Sequence, residues 1–354
     1  MTGYNIGIVG ASGVVGKELI KLLEKKSLAQ KLFPIKHLFL FASERSERHK
    51  VLFKGEFLPV EKIEPEALQK LDLVFFMAGA EISKTFIPLI DRSKTIVIDS
   101  SSAFRMDPEV PLSIPEINPY DLENHDNLIA SPNCTALIML MALYSLHKAF
   151  KINRIVASTY QAASGGGAKL LQKLEDDTKN YAVSTPKENH YFGYNLFLHE
   201  SKHSSNKYSE EELKIIEETR KILVLPDLKI APTCVRVPVL RAHSMSLNVQ
   251  FKKSFSLKKV LELLNKAKGV EIFEDFEKNE FATPLMATEK ENIYISRVRI
   301  DPTQDNTLEM WVVGDQLLKG AALNLLQIAE IVLKPLQTQK RAGSIKERLA
   351  LVTG

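Results

Sequence analysis

The stretch YNIGIVGASGVVGKELIKLLEKK, residues 4–26, decides the fold. Tyr4–Val9 is a short apolar run of strand character. From Val15 to Lys26 the apolar residues Leu19, Ile20, Leu22 and Leu23 recur on one face of a helix. Three glycines at intervals of three, Gly10, Gly13 and Gly16, stand where strand passes into helix. That context gives a glycine fingerprint its meaning, because a tight turn lets a pyrophosphate approach the helix N-terminus and its free N–H groups. Gly10, Ser12, Gly13, Val14, Val15 and Gly16 are therefore the candidate phosphate contacts.

Beyond this stretch, His37–Phe41, Asp72–Met77 and Thr95–Asp99 are three further uninterrupted apolar strands, with helical stretches between them. Strands apolar on both faces imply a parallel sheet covered on both sides. Ligands of such sheets bind outside the carboxyl ends of the strands. Sites that prefer NAD place a carboxylate at the end of the second strand. Here that end reads Ala42-Ser43-Glu44-Arg45-Ser46. Ser43, Arg45 and Ser46 suit a 2′-phosphate, for which arginine is the fitting cation, so NADP is the expected cofactor. Glu44 leaves NAD open.

The chain has 354 residues, 45% hydrophobic and 25% charged, which implies about two domains of an ordinary globular protein. Two cysteines, Cys134 and Cys234, exclude a disulfide framework and suit a reducing cytoplasm, the expected location. A net charge of +4 with no basic block argues against a nucleic-acid partner. The longest apolar run, Ala136–Tyr144, is far short of the ~20 residues that span a bilayer, and the N-terminus lacks signal-peptide features, so no membrane association is expected. The basic stretch Lys334–Arg348 reads as a solvated tail.

The pattern changes after Ser131. A strongly apolar helix is expected over Cys134–Phe150, and strands over Arg154–Gln161, Thr233–Val239, His243–Lys252, Asn292–Ile300 and Leu308–Val313. Ser209–Leu223 and Gly320–Leu336 read as helices, and Asn189–Lys207 as a polar, loop-rich excursion. In Ser131-Pro132-Asn133-Cys134-Thr135, Asn133 is placed to cap the helix and Cys134 falls in its first turn. A helix dipole favours a thiolate there, and a thiolate is the nucleophile of acyl transfer. Cys234, inside an alternating strand pattern, reads as a small buried hydrophobe. His243 is a candidate base among eight histidines. His190, His199 and His203 are too unevenly spaced for a zinc site, and no metal is expected.

Seven motifs in one order make the chain resemble the aspartate-semialdehyde dehydrogenases: GASGVVG (10–16), SSSAFRM (100–106), SPNCTA (131–136), QAASGGG (161–167), EELK (211–214), CVRVPVLRAHS (234–244) and KGAALNLLQIAE (319–330). The resemblance implies an α/β architecture. A Rossmann-like NADP-binding domain would occupy residues 1–133, completed by the helix 320–338. An α+β catalytic and dimerisation domain would occupy 134–319, and a basic tail 339–354. It implies an NADP-dependent phosphorylating aldehyde dehydrogenase, an oxidoreductase that reduces L-aspartyl-4-phosphate to L-aspartate 4-semialdehyde and releases phosphate. Its pathway would lead to lysine, diaminopimelate, threonine and methionine, and its assembly would be a homodimer or homotetramer.

The same resemblance implies residue roles. Cys134 matches the nucleophile, His243 the general acid/base and Gln161 the residue that orients the reacting groups. Arg236 matches the cation for the substrate carboxylate, and Glu211 the anion for its ammonium. Lys214 and Arg105 match the phosphate-binding cations, together with Asn133. Asn324 matches a contact to the nicotinamide amide, and Ser164 and Gly165 further cofactor contacts. Ala136 and Ala242 depart from the family, which often has Thr or Ser and Gly there. Two rivals remain. An N-acetyl-gamma-glutamyl-phosphate reductase would leave Glu211 with no ammonium to meet, and a non-catalytic dinucleotide-binding protein would not need Cys134.

Overall fold

The structure, a computed structural model, describes residues 3–43, 49–181 and 190–333. Arg45, Ser46, the tail 339–354 and the end of the expected last helix lie outside the described residues. The chain divides into two compact units, Met1–Pro132 with Ala321–Gly354, and Asn133–Gly320.

The first unit runs β1 (Tyr4–Val9), α1 (Val14–Leu28), β2 (Ile35–Ala42), β3 (Lys50–Phe53), β4 (Glu56–Lys62), α2 (Pro65–Leu68), β5 (Leu73–Phe76), α3 (Ala80–Phe86), β6 (Ile96–Asp99) and β7 (Leu128–Ala130). Its sheet has the order β3-β4-β2-β1-β5-β6-β7. β1 pairs in parallel with β2 and β5, and β6 in parallel with β5 and β7. All four residues of β5 are buried, which is why its sequence is continuously apolar rather than alternating. The antiparallel hairpin β3–β4 was not among the expected strands. It lies at the sheet edge and is mostly exposed, although its sequence KVLF-KG-EFLPVEK is apolar on both sides of a turn and so carried a legible strand signal. Its turn is Lys54-Gly55, both at positive φ (52° and 83°), the geometry of a two-residue hairpin turn.

The second unit contains α4 (Cys134–Phe150), β8 (Ile152–Gln161), α5 (Ala168–Asn180), β9 (Phe197–Leu198), α6 (Glu210–Leu223), β10 (Lys229–Arg236) and β11 (His243–Phe251). It continues with α7 (Leu257–Asn265), β12 (Val270–Ile272), β13 (Glu274–Asp275), β14 (Glu280–Phe281), α8 (Pro284–Ala287), β15 (Ile293–Ile300) and β16 (Thr307–Gly314). The large sheet has the order β12-β15-β16-β11-β8-β10-β9 and is mixed in direction. α4 is buried nearly all round, which its unbroken apolar sequence requires. α6 opens on a capping box, Ser209 with Glu212.

β10 begins and ends earlier than the expected Thr233–Val239. Its start was hidden by Pro232, which has no ladder N–H to donate. The proline is tolerated because β9 covers β10 only at Val235 and Arg236, leaving an open edge at Pro232. Parallel pairing of β10 with β8 sets Arg236 beside Gln161 at the ends of both strands. β11 runs antiparallel to β8 with Ser244 opposite Tyr160, so His243 starts its strand at that same end. Three chemically active side chains are thus gathered by register alone.

The last described helix, α9 (Leu323–Val332), follows a wider π-helical turn at Leu318–Ala322. It belongs to the first unit, where the Tyr4 hydroxyl donates to the Leu333 carbonyl at 2.7 Å. No helix among the described residues is long and apolar enough to cross a membrane.

Candidate active site

In the first unit the loop between β1 and α1 is shaped by its glycines. Gly10 has φ +92°, and a Cβ there would lie 2.7 Å from the Met77 carbonyl. A Cβ on Gly16 would lie 2.2 Å from the Gly10 carbonyl oxygen, so the helix reaches the turn only as glycine. Gly13 donates its N–H to that oxygen at 3.0 Å and is the N-cap of α1. No side chain caps this helix and its first turn holds no acidic residue. The N–H groups of Val14, Val15 and Gly16 and the positive dipole end therefore have no built-in anion, as a pyrophosphate site requires. Ser43 is exposed just beyond β2.

Asn324 of α9 is fully buried and donates from Nδ2 to the Ser113 carbonyl (3.0 Å) and Ser131 Oγ (2.9 Å). The Ser113 carbonyl only accepts, which fixes the amide orientation. Asn324 Oδ1 is then left buried without a partner. A carboxamide N–H would satisfy it, and buried acceptors of this kind call for one. The residues of this unit thus fit a nicotinamide dinucleotide. Arg105, 8% exposed, is held by the Ser131 carbonyl (Nε, 2.9 Å) and the Ser100 carbonyl (Nη2, 2.6 Å).

In the second unit a chain of polar side chains surrounds the start of α4. The Asn133 Oδ1 accepts from the Thr135 and Ala136 N–H groups (2.9 and 3.2 Å), and its Nδ2 donates to Glu211 Oε1 at 2.9 Å. Gln161 Nε2 donates to Thr135 Oγ1 (3.1 Å) and Glu211 Oε1 (3.3 Å). Gln161 Oε1 accepts from Arg236 Nη1 at 3.4 Å. Lys214 Nζ lies 3.3 Å from Glu211 Oε2, one helical turn away. Cys134 opens the helix at the centre of this set, partly exposed, with Sγ 4.0 Å from Thr135 Oγ1. Gly320 packs so closely that a Cβ there would meet the Cys134 Cβ at 2.9 Å.

His243 Nδ1 accepts the Ala162 N–H at 3.0 Å, which leaves the proton of the neutral ring on Nε2. The glycines of the motif make room for this ring: a Cβ on Gly165 would lie 2.8 Å from His243 Cε1 and 3.0 Å from Nε2. Arg236 packs on the same loop, its Nη2 3.3 Å from where a Cβ of Gly166 would be. The Ser164 hydroxyl is engaged within the unit, accepting from Gln316 Nε2 at 2.7 Å.

Electrostatics sort these groups. Burial works against the charged form of Glu211, but Lys214, His199, the Asn133 hydrogen bond and Arg236 outweigh it and bring its pKa down to about 2. Burial disfavours the His243 imidazolium, and the adjoining Arg236 charge adds to this, so the group falls to about 3 and is neutral at pH 7. Burial pushes the Cys234 thiol up to about 12, consistent with a packing role. Burial and Arg236 also lower His199.

The structure brings Asn133, Cys134, Gln161, Glu211, Lys214, Arg236 and His243 into one unit, and the glycine loop, Arg105 and Asn324 into the other. Three participants were not among the sequence candidates. Thr135 stood inside a quoted motif. Glu218 accepts the Asn133 N–H at 2.6 Å, and it lies seven residues after Glu211 on the same helical face, a spacing that was legible. Glu200, which forms two hydrogen bonds to Arg236, sits in an irregular segment with no local signal.

Comparison with known proteins gives matching results. The semialdehyde dehydrogenase NAD-binding domain matches residues 5–125, and the semialdehyde dehydrogenase dimerisation domain matches residues 143–319. The chain is similar to the aspartate-semialdehyde dehydrogenase of Prochlorococcus marinus, 44% identical over 332 residues, covering 93% of this chain and 95% of that protein. The Synechocystis protein of the same name is 42% identical over 333 residues, covering 93% and 97%. Among solved structures, aspartate semialdehyde dehydrogenase II from Vibrio cholerae superposes with TM-score 0.89 at 33% identity, covering 95% of this chain and all of that one. A second structure of that protein, complexed with ASA, has TM-score 0.89 at 32% identity, with the same coverage. With the fold, the site chemistry and relatives at this identity in agreement, the chain belongs to the aspartate-semialdehyde dehydrogenase family.

Proposed function

We propose that this chain is an NADP-dependent aspartate-semialdehyde dehydrogenase that converts L-aspartyl-4-phosphate to L-aspartate 4-semialdehyde and phosphate for lysine, diaminopimelate, threonine and methionine synthesis. The observation that carries this is the linked set Asn133–Glu211–Gln161–Arg236 around the start of the Cys134 helix. It offers a nucleophile, an anion and a cation together, matching a substrate with an acyl carbon, an ammonium and a carboxylate. The Vibrio cholerae relative in complex with ASA supports the same substrate.

In this reading the Cys134 Sγ attacks the acyl carbon, the carbon–oxygen bond to phosphate breaks, and a thioester remains on the cysteine. The Asn133-capped helix start favours the anionic sulfur. A bound NADPH supplies the hydride, which no side chain can. His243 donates a hydrogen bond from its Nε2–H to the oxygen that becomes negative and keeps the proton, since its Nδ1 is committed to the Ala162 N–H. The anionic oxygen then re-forms the carbonyl as the Cys134 Sγ–carbon bond breaks, which releases the aldehyde and returns the cysteine as thiolate. Arg236 holds the substrate carboxylate, Glu211 its ammonium, Lys214, Arg105 and Asn133 the phosphate, and Gln161 orients the acyl group. The glycine loop, Ser43, Arg45, Ser46, Ser164, Gly165 and Asn324 are the proposed cofactor contacts. Residues 1–133 with the segment 320–338 form the proposed NADP-binding domain and 134–319 the catalytic domain, whose family match supports at least a homodimer.

The test is phosphate-dependent NADPH formation with aspartate semialdehyde and with N-acetylglutamate semialdehyde. Turnover of the first alone is expected; turnover of the second alone overturns the substrate assignment. Cofactor binding is read separately by titration of the protein with NADPH, in which Gly16→Ala loses binding.

A further inference from the structure

Arg236, whose side chain is 5% exposed, is gripped from the solvent side by a carboxylate of the protein itself. Glu200 Oε2 accepts from Arg236 Nε at 3.1 Å and Glu200 Oε1 from Nη2 at 3.1 Å, a two-pronged fit of carboxylate on guanidinium. The remaining amino group, Nη1, is directed to Gln161, and the guanidinium packs on Gly165 and Gly166. The cation is thus fixed by two strands and a glycine loop. The anion hangs from an irregular stretch after the two-residue strand β9, with its side chain 42% exposed. Partial burial acts against the charge on Glu200, but the Arg236 hydrogen bonds and charge outweigh it, so the carboxyl is ionised at neutral pH.

We propose that Glu200 is an internal stand-in for the substrate carboxylate: it occupies the Nε/Nη2 edge of Arg236 in the ligand-free enzyme and must yield that edge when a carboxylate ligand binds. A buried cation left without an anion is strongly unfavourable. Exchange of one carboxylate for another keeps Arg236 paired throughout, and one guanidinium edge cannot hold two carboxylates in the same fork. Glu200 therefore competes with the ligand and sets the affinity of the site for carboxylates, excluding weak ones. The inference rests on the reading of Arg236 as the cation for the substrate carboxylate.

Glu200→Gln and Glu200→Ala test it, with succinate as a dicarboxylate probe that carries no reactive group. Succinate affinity is measured by thermal-shift titration, and the KM for aspartate semialdehyde by NADPH formation. Removing the competitor enlarges the fraction of protein ready to bind, so both constants should fall about three- to tenfold, with kcat/KM rising by the same factor. The KM for phosphate serves as the internal reference, and Arg236→Ala should abolish succinate binding. Weaker binding of both ligands in the Glu200 variants means that Glu200 only steadies Arg236, and it overturns the proposal. Unaltered constants, or no succinate binding to either variant, overturn it as well. If the wild-type protein does not turn over aspartate semialdehyde, the functional reading falls, while the succinate titration still decides whether Glu200 competes with carboxylates.

Discussion

Asn133 and Glu211 are joined by a 2.9 Å hydrogen bond that ties the cap of one helix to a carboxylate on another. One end of the Asn133 amide closes the first turn of α4, on which Cys134 stands, while the other end neutralises part of the demand of a buried charge. Replacing it with alanine removes both. Asn133→Ala should lose about 1 kcal/mol for the cap alone. More is expected because Glu211 loses a donor. Asn133→Asp keeps a capping oxygen but sets a second carboxylate against Glu211, and like charges at a buried site raise the pKa of one of them. It should therefore be the less stable variant at pH 7 and recover relative to alanine near pH 4, as urea melts at both pH values will show. Equal stability of the two variants at pH 7 would argue against the Asn133–Glu211 contact.

Cys134 and Cys234 differ in chemistry more than in sequence. Cys134 is partly exposed at a helix start, whereas Cys234 is fully buried with its thiol pushed up to about 12. Iodoacetamide near neutral pH should label Cys134 at least tenfold faster, since the thiolate is the reacting form. Peptide mapping reads the ratio. Cys134→Ala should abolish turnover while NADPH titration stays at the wild-type value, because the glycine loop belongs to the other unit.

Stability should depend on pH through His243. The unfolded chain takes up this proton near pH 6.5, and the folded protein resists it until about 3. The stability contributed by the neutral buried ring is therefore complete above 6.5 and is lost as pH falls through that interval. His147, brought down to about 4 by burial and by Lys151 and Lys252, acts in the same direction. Glu211 adds a later loss, from about 4.5 down toward 2. The urea midpoint should decline from pH 7 to 5, and His243→Gln should make that slope shallower. A flat midpoint across this range would contradict the buried neutral imidazole.

Gly165 offers a steric test of the His243 position. Its Cβ would press on the imidazole at 2.8 Å, so Gly165→Ala must move the ring or the loop. Displacement of a catalytic group by about 1 Å costs on the order of a hundredfold in rate. We expect kcat to drop by at least tenfold, with Gly167→Ala, whose Cβ meets nothing within 4 Å but whose φ is +87°, acting mainly on stability. A wild-type kcat in Gly165→Ala, with His243 unmoved in the variant's structure, would mean that the loop gives way; with the ring displaced, it would mean that the imidazole has no part in the chemical step.

Ala242 shows why one departure from the family pattern matters. The residue has φ +71°, a left-handed conformation in which glycine is the unstrained choice. Its methyl is 1% exposed and packs with Ala282, Ala287, Tyr294 and Val313. Burial of one methyl, about 0.8 kcal/mol, offsets part of a strain of about 1–2 kcal/mol. Ala242→Gly should therefore change stability by no more than about 1 kcal/mol, whereas a β-branched residue such as valine should destabilise markedly.

Much of this protein was determined by its sequence because the relevant forces are local. The strand–glycine–helix order of residues 4–26 requires a turn that only glycine at Gly10 can make, and that turn sits in the parallel sheet as read. The helix Cys134–Phe150 has the bounds its apolar run and Asn133 cap implied. The edge hairpin β3–β4 was missed although two apolar runs flank Lys54-Gly55, and only the fold shows that most of those residues stay exposed at the edge. Which partners the charges have depends on the folded chain. Register between β8 and β10 brought Gln161 to Arg236 across 75 positions of chain, and a bend with no motif brought Glu200 to the same guanidinium. Hydrogen bonds and ion pairs act over a few ångströms, and which atoms come within that reach is a property of the folded chain.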